Sequence, residues 1–198
     1  MNLIKTTLAA FLLLSLTTLN SAFATPEYIV DSKNSVVNFS TIKKQYVIEP
    51  AVFESVKGAI SKTGEVEISV DLNSVNTNIA IRDKRLQDLF FKVIESPQAI
   101  IRAKIDMKKL KSIRYYKRMK IPAVLEFYGV SKKIELDVLI AKVYRKKLLI
   151  TSMKPIIMDA NDYGVPAKNL IALSKTVGGL SLSDKAAVNF VLSFAHNK

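Results

Sequence analysis

The sequence predicts an all-β protein, an antiparallel barrel or sandwich in a single domain with two short helices. Three observations lead there. Apolar and polar residues alternate at period two through much of the chain, the pattern of strands with one buried and one wetted face. Turn signals such as Lys62-Thr63-Gly64 and Tyr144-Arg145 separate these runs at hairpin spacing. Only two segments carry the three- and four-residue spacing of a helix.

Composition agrees with one folded domain. The 198 residues are 49% hydrophobic and 24% charged, with no Cys and no Trp, so disorder and low complexity are excluded. A chain of this size buries roughly 70% of its unfolded surface in one core.

Residues 1–24 read as a secretory leader. Lys5 supplies the positive start, residues 8–16 are apolar or small, and Ala22-Phe23-Ala24 offers a cleavage site. The apolar run is too short to span a membrane. The expected product is residues 25–198, exported to the periplasm, and the absence of Cys fits an oxidising compartment. The net charge of the whole chain is +13. Export weakens nucleic acid as the partner and favours anionic lipid headgroups.

Strands are expected at 35–42 and 52–61. Val66, Ile68, Val70 and Leu72 form the apolar face of the next. Further strands are expected at 99–107, 124–128, 133–138, 146–152 and 186–194, with Pro122 marking an edge or bulge. The first helix is expected over 83–94, with Asp83 as N-cap, Leu86, Leu89, Phe90, Val93 and Ile94 on one face, and Pro97 as the stop. The second is expected over 166–177, with Pro166 in its first turn and Gly178-Gly179 after it.

Catalytic chemistry finds little support. The single histidine, His196, is third from the end, where chains fray. There is no cysteine nucleophile, zinc-protease motif or phosphate-cradling glycine loop. Residues 159–164 form a calcium-like run without the closing Glu, better read as a turn. The expectation is therefore no enzyme, no metal and no cofactor. Residues 102–120 hold nine Lys or Arg against one acid, Asp106. Such a run serves an anionic surface, or guards a strand edge against pairing with other chains.

The order of motifs resembles the YceI-like family of lipocalin-like, polyisoprenoid-binding proteins. The resemblance rests on Asp31-Ser32-Lys33-Asn34-Ser35 followed by Val37-Asn38-Phe39, then on Val56-Lys57-Gly58-Ala59-Ile60. It continues with residues 71–77, Ile81-Arg82-Asp83, Leu86, Phe90-Phe91 and Ser96-Pro97. Residues 125–132 and Asp162-Tyr163-Gly164-Val165 complete it. Two departures stand out: Tyr128 occupies a position where relatives often carry His, and residues 108–123 are unusually basic.

The resemblance implies an eight-stranded antiparallel lipocalin-like barrel around a long apolar pocket. It implies an exported carrier of an isoprenoid lipid, a quinone or a similar amphipath, with a bound lipid as the only non-protein component. Phe39 and Phe53 are placed on early pocket strands, Leu86, Phe90 and Phe91 on a helical cover, and Phe127 and Tyr163 near a later strand and turn. Arg82 or Arg85 is the candidate for an anionic head, the alternative being an ion pair with Asp83 or Asp88. The rival reading is a basic interaction protein with a filled core that binds an acidic partner or an anionic membrane surface. Whether the chain forms a homodimer stays open.

Overall fold

The computed structural model describes residues 25–197; the expected leader lies outside them. In chain order the strands are β1 (Pro26–Val30), β2 (Val36–Lys43), β3 (Val47–Phe53), β4 (Val56–Ser61), β5 (Glu65–Asp71) and β6 (Val75–Asn76). Helix α1 (Ala80–Arg85) runs into a π-helical segment, Leu86–Phe91, and then come β7 (Gln98–Lys104) and α2 (Met107–Ser112). The chain continues through β8 (Tyr116–Phe127), β9 (Val130–Val143), β10 (Lys147–Ser152), β11 (Ile156–Asp159), α3 (Ala167–Lys175) and β12 (Leu182–His196).

Eight strands close a ring in the order β1-β4-β5-β7-β8-β9-β10-β12, and β12 returns to β1 through the pairs Tyr28↔His196 and Val30↔Phe194. Closure removes the free edges that an open sheet would expose. The expected barrel is therefore the fold, and the sandwich alternative falls. His196 is not a frayed end: it lies in β12 with its ring edge-on to Tyr28 at 5.3 Å.

The extra strands continue barrel staves past bends. Both β1 and β2 pair with β12, both β10 and β11 pair with β12, and β3 carries the line of β4 onward to pair with β2 and β6. Together they raise a collar, β11-β12-β2-β3-β6, above the closed ring. The strand expected over 52–61 is thus two strands, broken at Glu54 and Ser55. Ser74 is the physical reason: its carbonyl accepts from the Glu54 amide at 3.2 Å and its hydroxyl from the Ser55 amide at 2.9 Å.

Other expectations shift. The strand at 99–107 stops at Lys104, because Asp106 accepts from the Lys108 and Lys109 amides at 2.9 and 3.2 Å and starts α2, a third helix. Leu110 and Ile113 bury themselves there and plug one end of the barrel. Lys142 Nζ donates to the Lys111 carbonyl at 2.6 Å, and Lys111 pairs with Glu27 at 3.1 Å, tying the plug down. The strand expected at 124–128 is twelve residues long. Its pairing with β7 ends at Ala103↔Ala123, so from Pro122 back to Tyr116 it pairs only with β9. Pro122 sits on an edge, as its missing N–H requires.

The first helix begins at Ala80, not at Asp83. The Asp83 carboxylate turns back to accept from the Thr77 amide and hydroxyl at 2.8 and 2.5 Å. The helix loosens into the π-helical segment and ends at Lys92, in the left-handed region, before Pro97 is reached. In the second helix, Pro166 occupies the N-cap position, and Val177 lies past the end and is exposed.

Candidate functional site

A cavity of about 230 Å³ occupies the barrel interior. The inward alternation of the strands builds its wall: Val66, Ile68 and Val70 from β5, Ala99, Ile101 and Ala103 from β7, and Ile121, Leu125 and Phe127 from β8. Leu136 and Val138 of β9 and Val188, Phe190, Leu192 and Phe194 of β12 continue it. Val37, Phe39 and Phe53 carry the wall up into the collar, and Leu86, Phe90, Phe91, Leu170 and Leu173 come from the two helical segments that cover the mouth. Polar lining is confined to Thr41, Ser183, Asp184 and Lys185. In register, Thr41 pairs with Ala186 near the start of β12, so the polar atoms gather at one end.

Six expected site residues meet at this cavity: Phe39, Phe53, Leu86, Phe90, Phe91 and Phe127. Phe39 and Phe53 stack with centroids 5.0 Å apart, and Phe91 stands edge-on to both at 6.5 and 5.6 Å. Phe91 also reaches Phe127 at 6.4 Å. These offset geometries suit aromatic quadrupoles and give the upper wall a fixed shape.

The other three are placed elsewhere. Tyr163 is buried behind the wall, edge-on to Phe127 at 5.8 Å, with Lys132 Nζ 5.7 Å from its ring centroid. Burial pushes its hydroxyl pKa up. Arg82 is on the rim, paired with Glu49 rather than with Asp83 or Asp88; Asp83 is held by Thr77, and Asp88 by Lys84 at 2.9 Å. Lys43 and Arg82 flank the Glu49 carboxylate and hold it below the usual range. Arg85 is half-buried and has no ion-pair partner among the described residues.

The cover is held by a residue that the sequence reading missed. Asn169 of α3 is 2% exposed, and its side-chain amide donates to the Phe90 carbonyl at 3.0 Å and to the Tyr128 hydroxyl at 3.1 Å. One side chain thus ties α3 to the π-helical segment and to the β8–β9 turn. That turn carries Tyr128 and Gly129 with φ of 52° and 77°, the left-handed pair of a tight hairpin. Asn169 stands next to Leu170 on a helix read only for its apolar face, so hydrophobic spacing could not flag it.

The basic run at 102–120 is largely spent on neighbouring acids. Arg102 bridges Glu67 and Glu126 at 2.9 and 2.8 Å, Lys104 meets Glu65, Lys111 meets Glu27, Arg118 clasps the buried Asp137, and Lys120 meets Glu135 at 2.9 Å. Most of these are cross-strand pairs on the outside of the barrel. Among the described residues no group of three or more His, Cys, Asp or Glu side chains could hold a metal ion. None of their helices is long and apolar enough to cross a membrane.

Comparison with known proteins bears on this site. Residues 28–194 match the family model described as the YceI-like domain. A polyisoprenoid-binding domain from Saccharophagus degradans, implicated in plant cell wall breakdown, is 26% identical. The match covers 87% of this chain and 99% of that one, with a TM-score of 0.82. BcnA of Burkholderia cenocepacia shares the fold at 13% identity, with 83% and 98% of the chains covered and a TM-score of 0.63. No curated protein matches the chain significantly.

Proposed function

Since the chain belongs to the YceI-like domain family, we propose that its barrel cavity binds the apolar tail of an isoprenoid lipid, a quinone or a similar long-chain amphipath. The observation that carries this reading is the lining: apolar side chains along the wall, with polar ones only at one end. An apolar tail leaves water there, at about 0.8 kcal/mol per buried CH₂; the gain saturates well before a long tail is summed. A polar head stays at the mouth with Thr41, Ser183, Asp184 and Lys185, the lysine there being paired with Asp159 and Asp184, and Arg85 adds an unpaired charge near the cover. Such a site needs shape rather than a catalytic group, so binding and not turnover is the activity. The polyisoprenoid-binding relative supports the ligand class. The composition of residues 1–24 supports export to the periplasm, where the protein serves as a carrier or store.

The rival reading, a filled core with a basic interaction surface, fits less well. It has to accommodate a cavity of about 230 Å³ and five of nine basic residues already paired.

The test is native purification from the producing cell, solvent extraction and mass spectrometry. One stoichiometric isoprenoid or acyl species is expected. The Ala103→Phe variant fills the lower cavity from β7. The added ring occupies the space that the tail would take and is expected to abolish lipid recovery from a protein that still folds. A folded wild-type protein that is empty and ignores added lipid would overturn the proposal.

A further inference from the structure

The cavity mouth carries an apolar rim that none of the described residues covers. At the β2–β3 tip, Ile42 and Ile48 face each other in register, and Tyr46 and Ile48 are 85% and 67% exposed. Lys44 and Gln45, both at positive φ, make the turn that projects this tip. Two contacts tie it to the rest of the mouth. The Lys44 amide donates to the Ser181 carbonyl at 2.8 Å in the loop after α3, and Glu49 pairs with Arg82 of α1. Ile81, 59% exposed, therefore stands beside the tip, while α3 presents Ile171, 54% exposed, next to the cavity-lining Leu170.

Exposed large apolar residues so grouped mark a binding surface. From them we infer that the mouth of the barrel docks on an anionic phospholipid bilayer, with Tyr46, Ile48 and Ile81 entering the headgroup layer. Two features of the rim select this occupant. The first is charge: Lys44 in the tip, Arg85 at the end of α1, and Lys168 and Lys175 on α3 have no acidic partner among the described residues, complementing lipid phosphates. The second is continuity, since Thr41, opposite Glu49 in register, already lines the cavity. The seated tip places the apolar interior of the barrel against that of the bilayer, so a tail passes between them without crossing bulk water. The inference rests on the cavity reading above and adds the surface through which the cavity is loaded.

The experiment uses protein purified after expression of the full chain, and vesicles of one part phosphatidylglycerol to two of phosphatidylcholine. Flotation is measured for wild type, for a triple variant (Tyr46→Ser, Ile48→Thr, Ile81→Gln) and for a variant at the opposite end of the barrel (Lys108→Ser, Lys109→Ser, Arg114→Ser). Dansyl-labelled undecanoic acid, added without vesicles, reports the cavity and the fold of each variant. The triple variant is expected to lose roughly tenfold or more in vesicle affinity while its dansyl signal stays at the wild-type level; the opposite-end variant floats like wild type. Equal flotation of wild type and triple variant overturns the inference, as does loss confined to the opposite-end variant. So does a wild-type dimer that the triple substitution splits while no form floats. Flotation that depends on the tip in a protein blind to the dansyl probe supports the docking face and removes the cavity reading instead.

Discussion

Removing the Asn169 side chain tests how the cavity is kept shut. Asn169→Ala deletes two donated hydrogen bonds, to the Phe90 carbonyl and the Tyr128 hydroxyl, at a position 2% exposed. Each is worth about 1 kcal/mol net, and a buried acceptor left without a partner costs about 1–3 kcal/mol. Water entering the loosened cover recovers part of that cost, so the expected loss is about 2–4 kcal/mol. For a chain of this length that is a fall in Tm of roughly 6–12 °C. Tyr128→Phe removes only one of the two bonds and is expected to cost about 1 kcal/mol. Calorimetry gives the stability, and hydrogen exchange gives the location: amides of α3 and of Leu86–Phe91 accelerate together, while those of β8 and β9 keep their protection. An Asn169→Ala protein with unchanged Tm and unchanged exchange in α3 would refute the assignment of Asn169 as the tie between the two covering segments.

Two further outcomes follow from the closed end of the barrel. Gly64 has φ of 93°, and a Cβ there would lie 2.0 Å from the Ile105 carbonyl oxygen; Gly64→Ala should cost more than about 2 kcal/mol, read as a lower urea midpoint at unchanged m. Glu65, held by Lys104, Ser61 and Thr63, has its pKa lowered to about 2 from 4.5. Its contribution to stability is thus full above the ordinary value and disappears as pH falls through about 2. Carboxyl NMR titration should show that low value in wild type and a rise toward 4.5 in Lys104→Met; a Glu65 that titrates at 4.5 in wild type would refute the pairing.

What was legible in the sequence followed from periodicity and from the order of motifs. The alternation at Val66, Ile68 and Val70 gives the face of β5 that looks inward, whereas Phe39, Phe53 and Phe127 were placed at the wall by the family resemblance. Three features escaped because they depend on partners distant in sequence. The bend at Glu54 and Ser55 exists because Ser74 satisfies its amides. The start of α1 is displaced because Asp83 is drawn to Thr77 rather than to a helix amide. The basic run read as a patch for an anionic surface or a guard on a strand edge, because a linear reading cannot show that Glu65, Glu67, Glu126, Glu135 and Asp137 stand beside it on neighbouring strands. Helix α2 was within reach: Asp106 precedes Leu110 and Ile113 at helical spacing, a signal masked by the lysines around them.

The plug formed by α2 makes the barrel a cup rather than a tunnel, and that fixes the rate law of exchange. With Leu110 and Ile113 sealing the floor, a tail that enters first at the mouth leaves last, and no second molecule can push it through from below. Replacement of one occupant by another must wait for the cup to empty. The observed displacement rate therefore becomes independent of competitor concentration once the competitor is in excess.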